Sequence, residues 1–345
     1  MKSFRRTFLG IAAASVMVGL WSAGAQAQEV TLRFHQQLPA MATIPKLAIQ
    51  PWIEAVEKAS KGRIKIQRFD SMSLGGKPNQ AFDQVKDGFV DFTWTVLSYT
   101  PGRFPKTEVF ELPFMTRDAT RGSMALQDFV ERNAADEFKE VKLIAAHIHG
   151  PGAFHTLTPI QKYEDLKGLR IRGAGRVINE LISALGGSPI GMPITSVAES
   201  LSKGVLDGTT IPFEIVPAFK IQQLVKNHTM FANGTALYTN TFAIVMNKAS
   251  YEKLPPDLKK VINDHSGQYA AKLFGGAMDK GDAVGLDLIK KAKNNVIVID
   301  ETEMQRWRRT AAVVTDSWVE RTSKLGFDAK AMLADARNTI KKYEK

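Results

Sequence analysis

Two hydrophobic periods alternate along this chain. Residues 30–34 (Val-Thr-Leu-Arg-Phe) put an apolar side chain at every second position, the period of a half-buried strand. Residues 45–59 change to helical spacing, with Pro45 in the first turn, where a missing N–H is harmless, and Gly62 just past the end. A second alternating strand is expected at 64–69, a helix at 78–86 and a third strand at 90–94. Helical spacing resumes over 117–138, and 141–148 is apolar enough for a buried strand. The breaker Gly150-Pro151-Gly152 marks a passage to a second series. That series predicts strands at 169–172, 189–192 and 207–212, with helices at 177–185 and 196–203 between them. The β-rich run 236–246 returns to the first half, Pro255-Pro256-Asp257 opens a long helix, and a last strand at 296–299 precedes two amphipathic helices.

Strand–helix alternation of this kind predicts an α/β fold: two doubly wound lobes joined by a hinge of several crossings, with a ligand cleft between them. The expected division is 28–150 plus about 240–280 for lobe I, and 151–239 plus about 281–345 for lobe II. In open α/β sheets ligands sit beyond the strand C-termini, which puts residues 34–37 and 94–97 near a pocket.

The N-terminal stretch has its own pattern. Lys2, Arg5 and Arg6 precede a short apolar run at 11–20, and Ala25-Gln26-Ala27 has the small-x-small form of a cleavage site. Residues 1–27 are therefore expected to be a signal peptide. Arg5-Arg6 also fits the twin-arginine export pattern, and an ordinary secretory signal remains the alternative. The mature protein is expected free in the periplasm. Cysteine is absent, which excludes disulfide staples, thiol catalysis and a lipidated cysteine.

The 345 residues are 44% hydrophobic and 23% charged, as in a soluble globular protein. The formal charge is +11, and three basic but no acidic residues precede Gln28, so a surplus of eight stays with the mature chain. Those basic residues are interspersed with acidic ones, with no basic stripe, so nucleic acid is not an expected partner.

Candidate chemistry concentrates at residues 164–172. On a strand, Arg170 and Arg172 share one face and Leu169 and Ile171 the other. Spacing alone leaves two outcomes: a pair of solvated cations, or one arginine at the strand end as a planar fork for a carboxylate. His35 and Gln37, after the first strand, are candidate donors to ligand oxygens. Gly175 opens the following helix, where backbone N–H groups could help hold an anion; the Gly173-Ala174-Gly175 turn lacks the third glycine of a dinucleotide loop.

The chain resembles the periplasmic solute-binding proteins of tripartite ATP-independent periplasmic (TRAP) transporters, the dicarboxylate-binding-protein-like (DctP) family. The resemblance rests on residues 164–172, Gly186-Gly187-Ser188-Pro189-Ile190-Gly191-Met192-Pro193 and Gly204-Val205-Leu206-Asp207-Gly208, supported by 85–92, 110–114 and 251–258. It implies that Arg172 grips a ligand carboxylate, that no cofactor is needed, and that the partners are one small and one large integral membrane subunit. The chain is expected to be a monomer and not an enzyme. Phe154 stands where many members carry a second ligand arginine, and Ile211 stands at their polar position before a proline, with Phe213 just after it. Trp94 ends the third strand. One anion anchor and apolar walls favour a carboxylate with an aromatic or hydrophobic body, or a branched hydroxy or oxo acid.

Two rivals stand beside this. His147 and His149 share a strand face, and His155 could complete a zinc set for an exported hydrolase, although no diagnostic general-base spacing accompanies them. A binding protein of an ATP-driven importer is the other.

Overall fold

The computed structural model describes residues 29–344; the signal-peptide expectation lies outside them. Among the described residues, eleven strands form two sheets. They are β1 (Val30–His35), β2 (Ile64–Phe69), β3 (Phe92–Val96), β4 (Val141–Ile148), β5 (Ala153–Thr156), β6 (Arg170–Gly173), β7 (Ser188–Gly191), β8 (Gly208–Ile211), β9 (Asn227–Phe231), β10 (Thr241–Asn247) and β11 (Asn295–Ile299). The helices are α1 (Gln50–Ala59), α2 (Ala81–Lys86), α3 (Ala119–Phe129), α4 (Arg176–Ala184), α5 (Val197–Ser202), α6 (Ile221–Leu224), α7 (Lys248–Glu252), α8 (Pro256–Asp264), α9 (Gln268–Lys291), α10 (Glu301–Lys324) and α11 (Ala329–Glu344).

The first sheet runs β2-β1-β3-β10-β4 and the second β11-β9-β5-β8-β6-β7. In the first, β1 pairs in parallel with β2 and β3, while β10 is antiparallel to β3 and β4. In the second, β6 pairs in parallel with β7 and β8, while β5 is antiparallel to β8 and β9. Each reversed strand is the one that enters from the other half: β5 follows β4 through Gly150-Pro151-Gly152, and β10 follows β9. The expected two-lobed α/β architecture is present, with mixed sheets.

Both orders reverse direction at the strand next to one edge, β1 in one sheet and β6 in the other. Such switch points leave a crevice at the strand C-termini. In β1, Leu32 and Phe34 point into the core, where Phe34 stacks on Phe92 at 5.9 Å and meets the Trp52 edge. In α4, Val177, Ile178, Leu181 and Ile182 form the buried stripe that ties β6 to β7.

Several elements depart from the sequence expectation. The third strand starts two residues late because Gly88, with φ +78°, turns the chain before it, and the Asp91 carboxylate caps the Arg33 N–H at 2.7 Å. The long helix expected from Pro255 is two helices, broken at Gly267 with φ +62°. Strands β5 and β9 had no counterpart in the hydrophobic pattern, and of the run 236–246 only β10 is strand. The last helix was expected beside the second sheet; α11 lies on α3 of the first half, where Arg132 pairs with Asp335 at 2.7 Å and Lys342 with Asp128 at 2.9 Å.

Candidate functional site

A small cavity of about 40 Å³ lies where the two switch points face each other. The first half contributes Gln37 just past β1, Trp94 and Val96 on β3, and Tyr99 in the turn beyond it. The second half contributes Arg172 on β6, Ile194, and residues 211, 212, 214 and 215 at the end of β8. His149, Asn240 and Phe242 come from the segments that connect the two sheets and from β10.

Arg172 is 2% exposed. Its Nε–H donates to the Met192 carbonyl at 2.8 Å, Nη1 to the Thr210 carbonyl at 3.3 Å and Nη2 to the Tyr99 hydroxyl oxygen at 3.3 Å. Among the described residues no carboxylate forms an ion pair with it. Burying a permanent charge without a counter-ion costs several kcal/mol, so the cavity wall is prepared for an anion. The nearby acid groups do not supply one. Burial pushes the Glu111 carboxyl up to about 8, its Oε1 accepting from the Thr241 N–H and hydroxyl. Burial likewise lifts Glu214 to about 7.

Apolar groups make most of the remaining wall. Trp94 stacks on Phe242 at 5.0 Å and 12°, and Phe242 on His147 at 4.9 Å and 11°, a slab of near-parallel rings. Leu38, Val96, Ile194, Ile211 and Ile215 complete it. The two halves also touch here. Tyr99 Oη accepts from the Ile194 N–H at 2.9 Å, and a methyl placed on Gly175 would come 2.4 Å from Ser98 Cβ.

Of the residues singled out from the sequence, Arg172, Trp94, Gln37 and Ile211 meet in this cavity. Five do not. His35 is locked inside the first half, with Nδ1 at 3.0 Å from Gln84 Oε1 and Nε2 accepting from the Leu74 N–H. Phe154 packs behind the second sheet on Trp307 of α10, at 5.9 Å. His155, one position on, points to the opposite face and sits against His228 and Phe213. Phe213 turns its ring to His155 and leaves the cavity to its neighbours 211, 212, 214 and 215. Gly175 lines a separate, more open groove outside the cavity. Tyr99, His149, Asn240, Phe242 and Glu214 line the cavity but were not singled out as ligand contacts; all lie in turns, connections or the returning strand, where local pattern says nothing about what faces them.

The zinc set fails on geometry. His147 Nε2 accepts from the Trp94 indole N–H at 2.8 Å, and its Nδ1 faces the Ile148 carbonyl. His149 Nε2 accepts from the Asn240 N–H at 2.9 Å, and its Nδ1 faces the Gly150 carbonyl. His155 belongs to a chain in the other sheet, from Asn294 through His228 to the Ile211 carbonyl. Each ring is committed to a protein partner, and among the described residues no three metal-ligating groups converge.

The family model for bacterial extracellular solute-binding proteins, family 7, matches residues 34–322. A TRAP solute-binding protein from Rhodoferax ferrireducens T118, crystallised with copurified benzoate, is 42% identical, with a TM-score of 0.90 over 91% of this chain and 98% of that one. A marine metagenome TRAP protein described as specific for aromatic acid ligands, in complex with 3-hydroxybenzoate, is 40% identical, with a TM-score of 0.91 over 92% and 100%. One from Bordetella bronchiseptica, with bound (R)- and (S)-mandelate, is 32% identical, with a TM-score of 0.84 over 91% and 99%.

Proposed function

The chain belongs to family 7 of the bacterial extracellular solute-binding proteins, the solute-binding components of TRAP transporters, and on that footing we propose that it captures a small organic carboxylate with an aromatic body in the cavity at Arg172. Family members are periplasmic solute-binding transport proteins rather than enzymes, and they work with membrane transporter subunits. Among the described residues no helix is long and apolar enough to cross a membrane. The ATP-driven importer is set aside, because the relatives are TRAP proteins.

One observation carries the ligand reading: the buried Arg172 guanidinium has no carboxylate partner of its own. A ligand carboxylate would use its free donors in a charge-assisted pair. The rings of Trp94 and Phe242, backed by His147, give a flat ligand body a surface to lie against. The benzoate, hydroxybenzoate and mandelate held by relatives favour an aromatic acid; a branched hydroxy or oxo acid is the second class compatible with these walls. The protein would act as a monomer and present its ligand-bound form to one small and one large membrane subunit.

Arg172→Ala should weaken binding of aromatic acids by about 2–5 kcal/mol, roughly 30-fold to several thousandfold, as read by titration calorimetry. Its melting temperature should not fall, since an unpaired buried charge is removed. Undiminished affinity in that variant would refute the assignment.

A further inference from the structure

The cavity holds a second kind of unmet demand. Gln37 Oε1 and Nε2, Asn240 Oδ1 and Glu214 Oε2 are buried atoms of its lining residues without a hydrogen-bond partner. Buried polar groups are otherwise almost always paired. Glu214 is the only carboxyl among them and is fixed from both sides. Its N–H donates to Asp282 Oδ1 at 2.8 Å, and its carbonyl accepts from the Thr43 hydroxyl at 3.2 Å. Helix α9 backs onto it so closely that a methyl on Gly281 would come 2.8 Å from Glu214 Cβ.

Three ligand groups could meet such a carboxyl. A second carboxylate would face an acid without a second cation to hold it, because Arg172 is the one basic lining group besides His149, which burial drives down to about 4 and so keeps neutral. An ammonium would lie in the same small cavity as the Arg172 charge. A hydroxyl can donate to an ionised carboxylate or accept from a neutral carboxyl. It therefore suits Glu214 in either state, which matters for a group that burial has brought to about 7.

We propose that Glu214 is a specificity-determining residue whose carboxyl hydrogen-bonds a hydroxyl of the bound acid, so that the cavity selects hydroxylated monocarboxylates and rejects dicarboxylates. This rests on the reading of Arg172 as the carboxylate anchor.

The test is calorimetric titration of the mature protein, and of its Glu214→Leu and Glu214→Gln variants, with benzoate, the three monohydroxybenzoates, mandelate and isophthalate. In the wild type the best hydroxylated acid should bind at least about tenfold tighter than benzoate, the scale of one buried hydrogen bond to a charged group. Glu214→Leu should reduce that ratio to below about twofold. Glu214→Gln should keep the hydroxyl preference, since an amide also donates and accepts, and should raise isophthalate affinity relative to benzoate about tenfold or more. Glu214→Gln also serves if the leucine variant does not fold. The proposal is overturned if benzoate matches every hydroxylated acid in the wild type, if Glu214→Leu leaves the hydroxyl preference unchanged, or if Glu214→Gln leaves the isophthalate-to-benzoate ratio unchanged. Failure of all these acids to bind the wild type would instead strike the carboxylate reading itself.

Discussion

At the scale of single residues, the cavity works through unequal treatment of charge. Arg172 keeps a charge it cannot shed, while burial moves the acids around it toward neutrality. Glu111 turns this into a pH dependence. Its carboxyl titrates at about 8 in the folded protein against an ordinary 4.5, so its contribution to stability is intact below about pH 4.5 and is lost as the pH climbs to about 8. The buried imidazoles His147 and His149 act in the opposite sense: their folded values of about 3 and 4 lie below the ordinary 6.5, so their contribution is present above 6.5 and lost on acidification. Above pH 6.5 the carboxyl effect therefore stands clear of them. Between pH 6.5 and 8 the wild type should lose about 2 kcal/mol more stability than Glu111→Gln, measured by chemical denaturation; parallel curves would contradict the assignment. At this scale the sequence was legible where a residue ends a strand. Trp94 and Gln37 were singled out that way, whereas spacing left Arg172 open and the family resemblance picked it out. Phe154 and His155 were misplaced because alternation says that neighbours face opposite ways and never which way is the cleft. Glu214 and Tyr99 were unreadable, since turn residues meet their partners through tertiary placement alone.

At the scale of elements, α9 decides how the halves meet. It packs against α3 and β4 in the first half and against the turn at Phe213–Ile215 in the second. The contact is made backbone to backbone: a methyl on Gly285 would lie 1.9 Å from the Phe213 carbonyl oxygen. Gly276, on the same helix, has nothing nearer than the Thr120 hydroxyl at 3.8 Å. Alanine at both positions improves helix propensity, so the pair separates propensity from packing. Gly276→Ala should raise stability by about 0.5–1 kcal/mol. Gly285→Ala should lower it by about 1–3 kcal/mol through overpacking and weaken ligand binding as the 213–215 turn is displaced. Equal effects of the two in thermal melts would show that the close approach is unimportant. The helices with clear amphipathic stripes, such as α4, were legible in the sequence. The four-residue β5 was not, because Ala153–Thr156 is buried throughout and carries no alternation to detect.

At the scale of the whole molecule, the two halves meet through several polar contacts. Tyr99 bridges to Ile194 and Arg172, and Glu108 reaches Arg176 at 3.4 Å and Arg321 at 3.7 Å. Hinge closure in two-lobed binding proteins responds only to contacts that differ between states. The phenolic hydroxyl is expected in that set, because both of its partners lie across the cleft. Tyr99→Phe should weaken acid binding about 5- to 30-fold, and small-angle scattering should show less compaction at a given ligand concentration. Unchanged affinity and scattering would remove Tyr99 from the closing contacts.

The position of β10 has a consequence for how the polypeptide comes together. It fills the gap between β3 and β4, although about 145 residues separate its start from the end of β3 and about 93 from the end of β4 in the order of synthesis. Until residues 241–247 leave the ribosome, the nascent first half holds two fragments with bare inner edges, the kind of edge that chaperones cover. Assembly of that half therefore waits for a segment made after most of the second half already exists.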